Sequence, residues 1–270
     1  MQAQGYNLAT RAKAERAHRA AEQARRAAQE AEQARLAEAA RLAEAARLAE
    51  LRRRLDRNAS LIVGVIDGRS GADVPTLLRV DSDVVKWHEQ DTDETLLIKA
   101  ARAGRVVTMQ QLIDASAAVD AKARDQRTAL HAASANGHVK AATLLLDKRA
   151  TFDACSETGR TPLHDAAQAD HGDVVAALLL RGAVVDSEDE DRQTPLLLAV
   201  QQGAVRAVEL LLHAGANVAA QSVRGQTPTS LVELSGNEQL KATFAAVVRE
   251  RQLRNRQQQL DSAKQQVNYK

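Results

Sequence analysis

The stretch GRTPLHDAAQADHGD, residues 159–173, decides the fold of this chain of 270 residues. Taken alone, its two histidines and three aspartates suggest a metal site, or a nucleophile with its base. Taken with the rest of the chain, it is one copy of a repeat. Related stretches begin at Glu94, Arg127, Gln193 and Gln226. Self-similarity at a fixed period is typical of stacked repeat architectures.

One threonine in each copy marks the period. Intervals of 33 residues separate Thr95, Thr128, Thr161, Thr194 and Thr227. Threonine is a preferred helix N-cap, because its hydroxyl accepts a hydrogen bond from a free backbone N–H group. A proline follows it at positions 162, 195 and 228, where the first helical residue needs no N–H group. A glycine, or Asp170, nine residues after each threonine is expected to end this helix in a left-handed turn.

A second apolar segment then follows at helical spacing, as in VVAALLL at residues 174–180. Each unit is too small to bury its own apolar face, so the units must stack on one another. The chain is poor in aromatic residues, at 2%. A core of leucine, valine, isoleucine and alanine favours stacked helices over a β-sandwich.

The 33-residue period with Thr-Pro-Leu-His-x-Ala, clearest from Thr161 to Ala166, resembles the ankyrin repeat. The resemblance covers residues 59–248 and implies an all-α solenoid of about five to six helix-turn-helix units with β-turn fingers. It implies a degenerate N-terminal cap at 59–91, closed by Trp87, repeats near 92–124, 125–157, 158–190 and 191–223, and a C-terminal cap at 224–248. Two departures stand out: the first full repeat lacks proline and histidine, and Leu197 replaces the usual histidine of the fourth.

Basic arms flank this acidic middle. Residues 1–58 hold 13 basic and 8 acidic residues, a net +5, and the polar tail 249–270 is +4, whereas residues 59–248 are −7. Strong helix formers dominate residues 8–57 and predict one long helix rich in alanine, arginine and glutamate. From Arg35, charges of alternating sign occur at every third residue and support an isolated helix. We expect the tail to extend as a polar helix that frays.

The leucines of the first arm indicate how that helix is used. Leu36, Leu42 and Leu48 recur every six residues and therefore fall on three different helical faces, which disfavours a coiled-coil seam. A solvated, self-supporting helix is the first interpretation, and a partner-binding or oligomerising coiled-coil helix is the alternative. Leu48 and Leu51 share one stripe with Leu55 and Ile62, and this stripe could dock the helix onto the first repeat.

Cysteine usage and hydropathy limit the class of protein. One cysteine cannot form an intramolecular disulfide, which favours an intracellular protein, cytoplasmic or nuclear. No apolar run approaches the roughly 18–20 residues of a membrane span, and the first residues lack the apolar centre of a secretory signal.

Candidate chemistry centres on the histidines. The resemblance implies that His131 and His164 bond within and between neighbouring fingers, whereas His138 and His171 are expected to be capping or exposed. A zinc site needs three or four converging ligands, and Cys155 belongs to the preceding finger. An enzyme built on Cys155, His164 and Asp165 is the least favoured hypothesis. We expect Asp165 to face solvent, and predict no catalytic residue, metal or cofactor.

The resemblance divides the remaining residues into framework and contact positions. The framework residues are Thr128, His131, Thr161, Pro162, His164, Thr194, Pro195, Thr227 and Pro228. In ankyrin stacks, partners bind the concave face, which the fingers and the first helix of each repeat form. By position, this face includes Glu94, Arg102, Arg124, Arg127, Asn136, Glu157, Arg160, Gln168, Glu190, Asp191, Gln193, Gln201, Gln202 and Arg224.

The function expected from this division is a non-enzymatic scaffold or adaptor. Its concave face would bind a protein partner, and the N-terminal helix would act as a spacer or second contact. The acidic finger 186–191 is either a solvated turn or a contact for a basic segment, from a partner or from the chain's own arm. The alternative is that the arms bind nucleic acid or an anionic membrane surface. Interleaved glutamates and the lack of stacking aromatics make nucleic acid the weaker choice.

Overall fold

The computed structural model describes the backbone of residues 2–268 and the side chains of residues 29–259, together with those of Glu22, Arg25 and Arg26. It divides into two compact units, Met1–Arg54 and Leu55–Lys270. The described backbone is helical apart from turns and a single β-bridge between His88 and Thr95. The all-α expectation is therefore confirmed over these residues. The last two residues of the predicted tail lie outside them.

The helices occur in pairs that follow the period of the sequence. The chain begins with α1 (Gln2–Ile66), α2 (Val74–Val80) and a 3₁₀ turn at Ser82–Lys86. The first helices of the repeats, called inner helices below, are α3 (Leu96–Arg102), α5 (Ala129–Ala135), α7 (Pro162–Gln168), α9 (Pro195–Gln202) and α11 (Pro228–Leu234). The second, outer helices are α4 (Val106–Asp114), α6 (Val139–Asp147), α8 (Gly172–Leu180) and α10 (Val205–His213), and α12 (Glu238–Asn268) follows α11.

The described backbone of the first unit is helical, and the leucines whose side chains are described face solvent. Leu36, Leu42 and Leu48 are 59–66% exposed. Opposite charges pair along the surface, with Arg26 Nη2 2.9 Å from Glu22 Oε1. The predicted docking stripe is wrong at Leu48 and Leu51, because both side chains are exposed.

The last turns of α1, from Leu55, belong to the second unit and cap its first repeat. Ile62 and Ile66 are fully buried there. The Trp87 indole Nε1 donates to Asp56 Oδ1 at 2.8 Å, and Arg105 Nε donates to the Ile66 carbonyl at 2.8 Å. A degenerate cap thus covers apolar surface that the first repeat would otherwise expose.

The core of the second unit consists of the same positions repeated. Two leucine series of period 33 are fully buried, on the inner helices Leu97, Leu130, Leu163 and Leu196, and on the outer helices Leu112, Leu145, Leu178 and Leu211. Successive inner helices pack on one another, and so do successive outer helices. Each buried leucine contributes about 1.5–3 kcal/mol. This apolar burial holds the repeats in register.

Each inner helix ends close to where the sequence predicts. Gly104, Gly137, Asp170 and Gly203 have φ between +56° and +73°, so the left-handed turn is confirmed in four repeats. The prediction is wrong at the fifth position, since α11 ends in the extended residue Ser235. There the terminal helix α12 packs on α10 and α11 through Leu240, Phe244 and Val247. The side chains of residues 252–259 beyond this contact are exposed.

Candidate partner-binding face

Backbone hydrogen bonds join the fingers of successive repeats into a ladder. Each finger donates one backbone N–H to a carbonyl of the preceding finger, 32 residues earlier. These bonds run from Arg124 to Thr92 (2.8 Å), Glu157 to Asp125 (2.8 Å), Glu190 to Thr158 (3.1 Å) and Val223 to Asp191 (3.0 Å). Because the backbone supplies the ladder, the finger side chains are free to vary between repeats.

The tip of each finger requires a left-handed residue. Asp93, Gln126, Gly159, Arg192 and Gly225, again 33 residues apart, all have φ between +55° and +76°. A non-glycine residue in this region costs about 1 kcal/mol or more. Three of the five fingers accept that strain. Sequence reasoning missed this series, although the two glycines could have marked it.

The Thr-Pro-Leu-His motif forms a hydrogen-bonded joint between repeats. His164 Nδ1 accepts from the Thr161 backbone N–H at 3.0 Å, and its Nε2 lies 3.0 Å from the Gln193 carbonyl of the next finger. His131 repeats this geometry with Thr128 and the Arg160 carbonyl, at 3.1 and 3.0 Å. The carbonyl contact places the ring proton on Nε2 in both cases.

Burial keeps these rings neutral. It lowers the pKa of His131 to about 4, against a smaller opposing effect of its bond to the Arg160 carbonyl. Burial likewise lowers the pKa of His164. Both nitrogens of each ring are occupied by the scaffold, which agrees with the framework role expected for them.

Charged side chains of three fingers bond to inner helices or to the next finger. Arg127 Nη2 lies 2.5 Å from Asp165 Oδ2, on the inner helix of the next repeat. Arg160 donates from Nη1 to Gln168 at 2.9 Å, and its Nε lies 3.3 Å from Asp189 of the next finger. Glu94 is buried and pairs with Arg102 and Lys99 of its own repeat. Three of the predicted contact arginines, Arg102, Arg127 and Arg160, thus hold carboxylates of the scaffold.

The expectation that Asp165 faces solvent is wrong. Its side chain is only 5% exposed, because the Arg127 side chain covers it and α7 packs between α5 and α9. Burial raises the pKa of Asp165 to about 6, and the guanidiniums of Arg127 and Arg160 oppose that shift.

The other predicted contact positions remain at the surface. Glu157, Glu190 and Asp191 are exposed at the finger tips, and Gln201 and Gln202 are exposed on α9. Arg124 reaches back to the Gln90 carbonyl at 3.0 Å, and Asn136 to the Ala132 carbonyl at 2.8 Å. Gln193 is half-buried, and Arg224 is exposed.

A comparison with protein families agrees with this architecture. The model for ankyrin repeats (3 copies) matches residues 68–155 and 149–222, which is more than half of the chain. The chain belongs to the ankyrin repeat family. Ankyrin repeats are generally modules for protein–protein interaction. No curated protein matched the chain.

The turns between inner and outer helices of the ankyrin stack form a second hydrogen-bonded contact between repeats, which could not be predicted from the sequence. His138 Nε2 lies 2.9 Å from the Arg102 carbonyl, and His171 Nε2 lies 3.2 Å from the Ala135 carbonyl. The His171 ring lies directly over Gly137, where an added Cβ would come within 2.5 Å of its Nδ1. Both histidines stand at helix N-cap positions, of α6 and α8, in keeping with the expectation of capping or exposed residues, and their rings add bonds across repeats that were not expected.

The residues of the least favoured enzyme hypothesis are engaged elsewhere in the stack. Both ring nitrogens of His164 are bonded, and Asp165 pairs with Arg127. Cys155 is exposed, and its Sγ lies 3.7 Å from the Asp153 carbonyl. Among the described side chains, no three histidine, cysteine or acidic residues are placed to hold a metal ion. Within the same residues, no helix is long and apolar enough to cross a membrane.

Proposed function

We propose that this protein is a binding scaffold whose concave face receives a basic segment of a protein partner. The observation that carries the proposal is that positive and negative side chains of the fingers differ in whether they form ion pairs within the stack. Arg127 and Arg160 are neutralised by scaffold carboxylates, whereas the exposed carboxylates of Glu157, Glu190 and Asp191 form no ion pair with any side chain that the structure describes. Because these arginines are paired, the charge left free at the finger positions is more acidic than the residue types alone suggest.

Electrostatic complementarity explains why a basic partner fits best. Unpaired surface charges of one sign attract the opposite sign and exclude like charges. The contacts form where successive fingers align, so that one extended segment meets Glu157, Glu190 and Asp191 in adjacent repeats. Salt would weaken such binding, because exposed charges are screened over about 8–10 Å at physiological ionic strength.

The test is affinity capture with the full-length chain, followed by cross-linking. The finger variant carries Glu157→Gln, Glu190→Gln and Asp191→Asn, all at exposed side chains. The control variant removes as many exposed carboxylates outside the fingers and inner helices. It carries Glu209→Gln, Glu238→Gln and Glu250→Gln. We expect the finger variant to lose the captured partner and the control to keep it.

Equal capture by both variants would contradict the proposal. The chain's own basic arm is the competing occupant, and cross-links distinguish it. If the arm fills this face, the finger variant loses cross-links between residues 1–58 and the fingers, while capture does not change.

A further inference from the structure

Two buried aspartates in the stack, Asp165 and Asp189, differ in how their charge is satisfied. Asp189 Oδ1 accepts the backbone N–H groups of Asp191 and Gln193, at 3.0 and 2.8 Å, and its Oδ2 faces Arg160. Among the described residues, Asp165 has one charged group within hydrogen-bond distance, Arg127, and no backbone N–H donor. Hydrogen bonds from N–H groups stabilise a carboxylate over its neutral form. Asp165 therefore depends on Arg127 for the only direct hydrogen bond that the described residues give its carboxylate, with the more distant Arg160 adding to the favourable charge.

The Arg127–Asp165 pair differs in burial from another ion pair between adjacent repeats that has a similar N–O distance. Arg206 Nη2 lies 2.6 Å from Asp173 Oδ1, also across two repeats, but these side chains are 63% and 64% exposed. The side chains of Arg127 and Asp165 are 34% and 5% exposed. Water stabilises the exposed carboxylate, whereas the buried one loses most of its hydration.

The surroundings of Asp165 do not supply a further cation at hydrogen-bond distance. The helices around it carry three titratable groups, His131 on α5, His164 on α7 and Asp173 on α8. The fingers carry the rest: Asp120, Lys122, Arg124, Asp125 and Arg127 in the preceding finger, Asp153, Cys155, Glu157 and Arg160 in its own, and Asp186, Glu188, Asp189, Glu190, Asp191 and Arg192 in the next. Arg160 is committed to Asp189 and Gln168. His131 is neutral, since burial lowers its pKa to about 4. The helix α9 carries no ionisable side chain.

We infer that Asp165 is a proton-sensitive positioning residue: it holds Arg127 against the stack when ionised and releases the guanidinium to the concave face when it takes up a proton. The neutral carboxyl no longer offers the charge that orients Arg127. The released side chain adds one mobile positive charge beside the acidic finger tips. Mild acid thus changes the charge pattern of this face.

Nuclear magnetic resonance of the full-length chain tests both halves of the inference. The carboxyl carbon of Asp165 is followed from pH 8 to pH 4.5, together with the side-chain Nε of Arg127. Burial raises the pKa of Asp165 to about 6, so its signal is expected to titrate near that pH. The Arg127 signal is expected to move with the same midpoint. An Asp165 midpoint below pH 4.5, or an Arg127 signal that does not follow it, would overturn the inference.

A second measurement compares the unfolding equilibria of the wild type, Asp165→Asn and Asp173→Asn at pH 7.5 and pH 5. A carboxyl whose pKa is raised on folding favours the folded state as pH falls. Relative to Asp165→Asn, the wild-type unfolding constant should therefore fall about tenfold on acidification. The buried histidines are common to both proteins and cancel in this ratio. The ratio of wild type to Asp173→Asn should stay constant, and an equal change in both ratios would refute a special role for Asp165.

Discussion

Acid should weaken the stack through its buried histidines, and His131 allows the effect to be isolated. The ring is fully buried and neutral, with Nδ1 accepting from Thr128 and Nε2 donating to the Arg160 carbonyl. Protonation would put a positive charge in the core and remove the acceptor at Nδ1. The fourth repeat supplies the matched substitution, because Leu197 is buried at the equivalent position. The perturbation is therefore His131→Leu, compared with wild type at two pH values.

The expected loss of unfolding free energy follows from the shift in the pKa of His131. Burial lowers the pKa of His131 to about 4 from an ordinary value of 6.5. Because the folded pKa is depressed, the stability that depends on the neutral ring is complete above pH 6.5 and is lost as pH falls toward 4. Between pH 7.5 and pH 4.5, the loss amounts to about 2–3 kcal/mol of unfolding free energy. At pH 7.5 the leucine variant lacks two hydrogen bonds and should be less stable by about 2–4 kcal/mol.

Urea unfolding followed by far-ultraviolet circular dichroism gives the four free energies needed. We expect the wild type to lose its advantage over His131→Leu on acidification, so that the difference between the two proteins shrinks by about 2–3 kcal/mol. His164 and Asp165 titrate in both proteins, and their effects cancel. If the two free energies fall in parallel from pH 7.5 to pH 4.5, His131 is not the neutral buried group that its contacts indicate.

Three further substitutions test the turns between helices by thermal or urea unfolding. Arg149→Gly should stabilise the protein by about 1 kcal/mol, because Arg149 has φ +64° where two sister repeats have glycine. Gly137→Ala should destabilise it by about 2 kcal/mol or more, since the new Cβ meets the His171 ring and the residue has φ +70°; a loss below 0.5 kcal/mol would be inconsistent with this packing. Asp170→Ala should cost about 1–3 kcal/mol, because Asp170 Oδ1 accepts the Ala207 N–H at 2.8 Å, and an unchanged midpoint would show that this bond contributes nothing.

Periodicity in the sequence was sufficient to predict the repeat and its helix caps. Thr95 and Thr194 accept the backbone N–H three residues on, at 3.3 Å, as the spacing predicts. Such contacts lie within one turn of helix, and residue type and local order determine them. The leucine series could be predicted for the same reason, since an apolar face of a short helix has no other place to pack.

Contacts between repeats could not be predicted in the same way. Arg127 and Asp165 are 38 residues apart, and no pattern within either repeat shows that they meet. Only Asp165 has a carboxylate at its register position, because the other repeats have Lys99, Ala132, Leu198 and Leu231 there. Asp165 is buried because of the side chains that its neighbouring repeats supply, above all Arg127.

The predicted contact residues of the concave face therefore form two groups, which cannot be told apart from the residue types alone. One group, including Arg127 and Arg160, neutralises a buried carboxylate of a neighbouring repeat. The other group, including Glu157 and Glu190, is exposed and forms no ion pair with a described side chain. Replacing the first group damages the stack and the binding surface together, because an unpaired buried carboxylate remains. Replacing the second group should change only the proposed binding surface, so these acidic tips are where the proposed partner specificity can be measured without loss of fold.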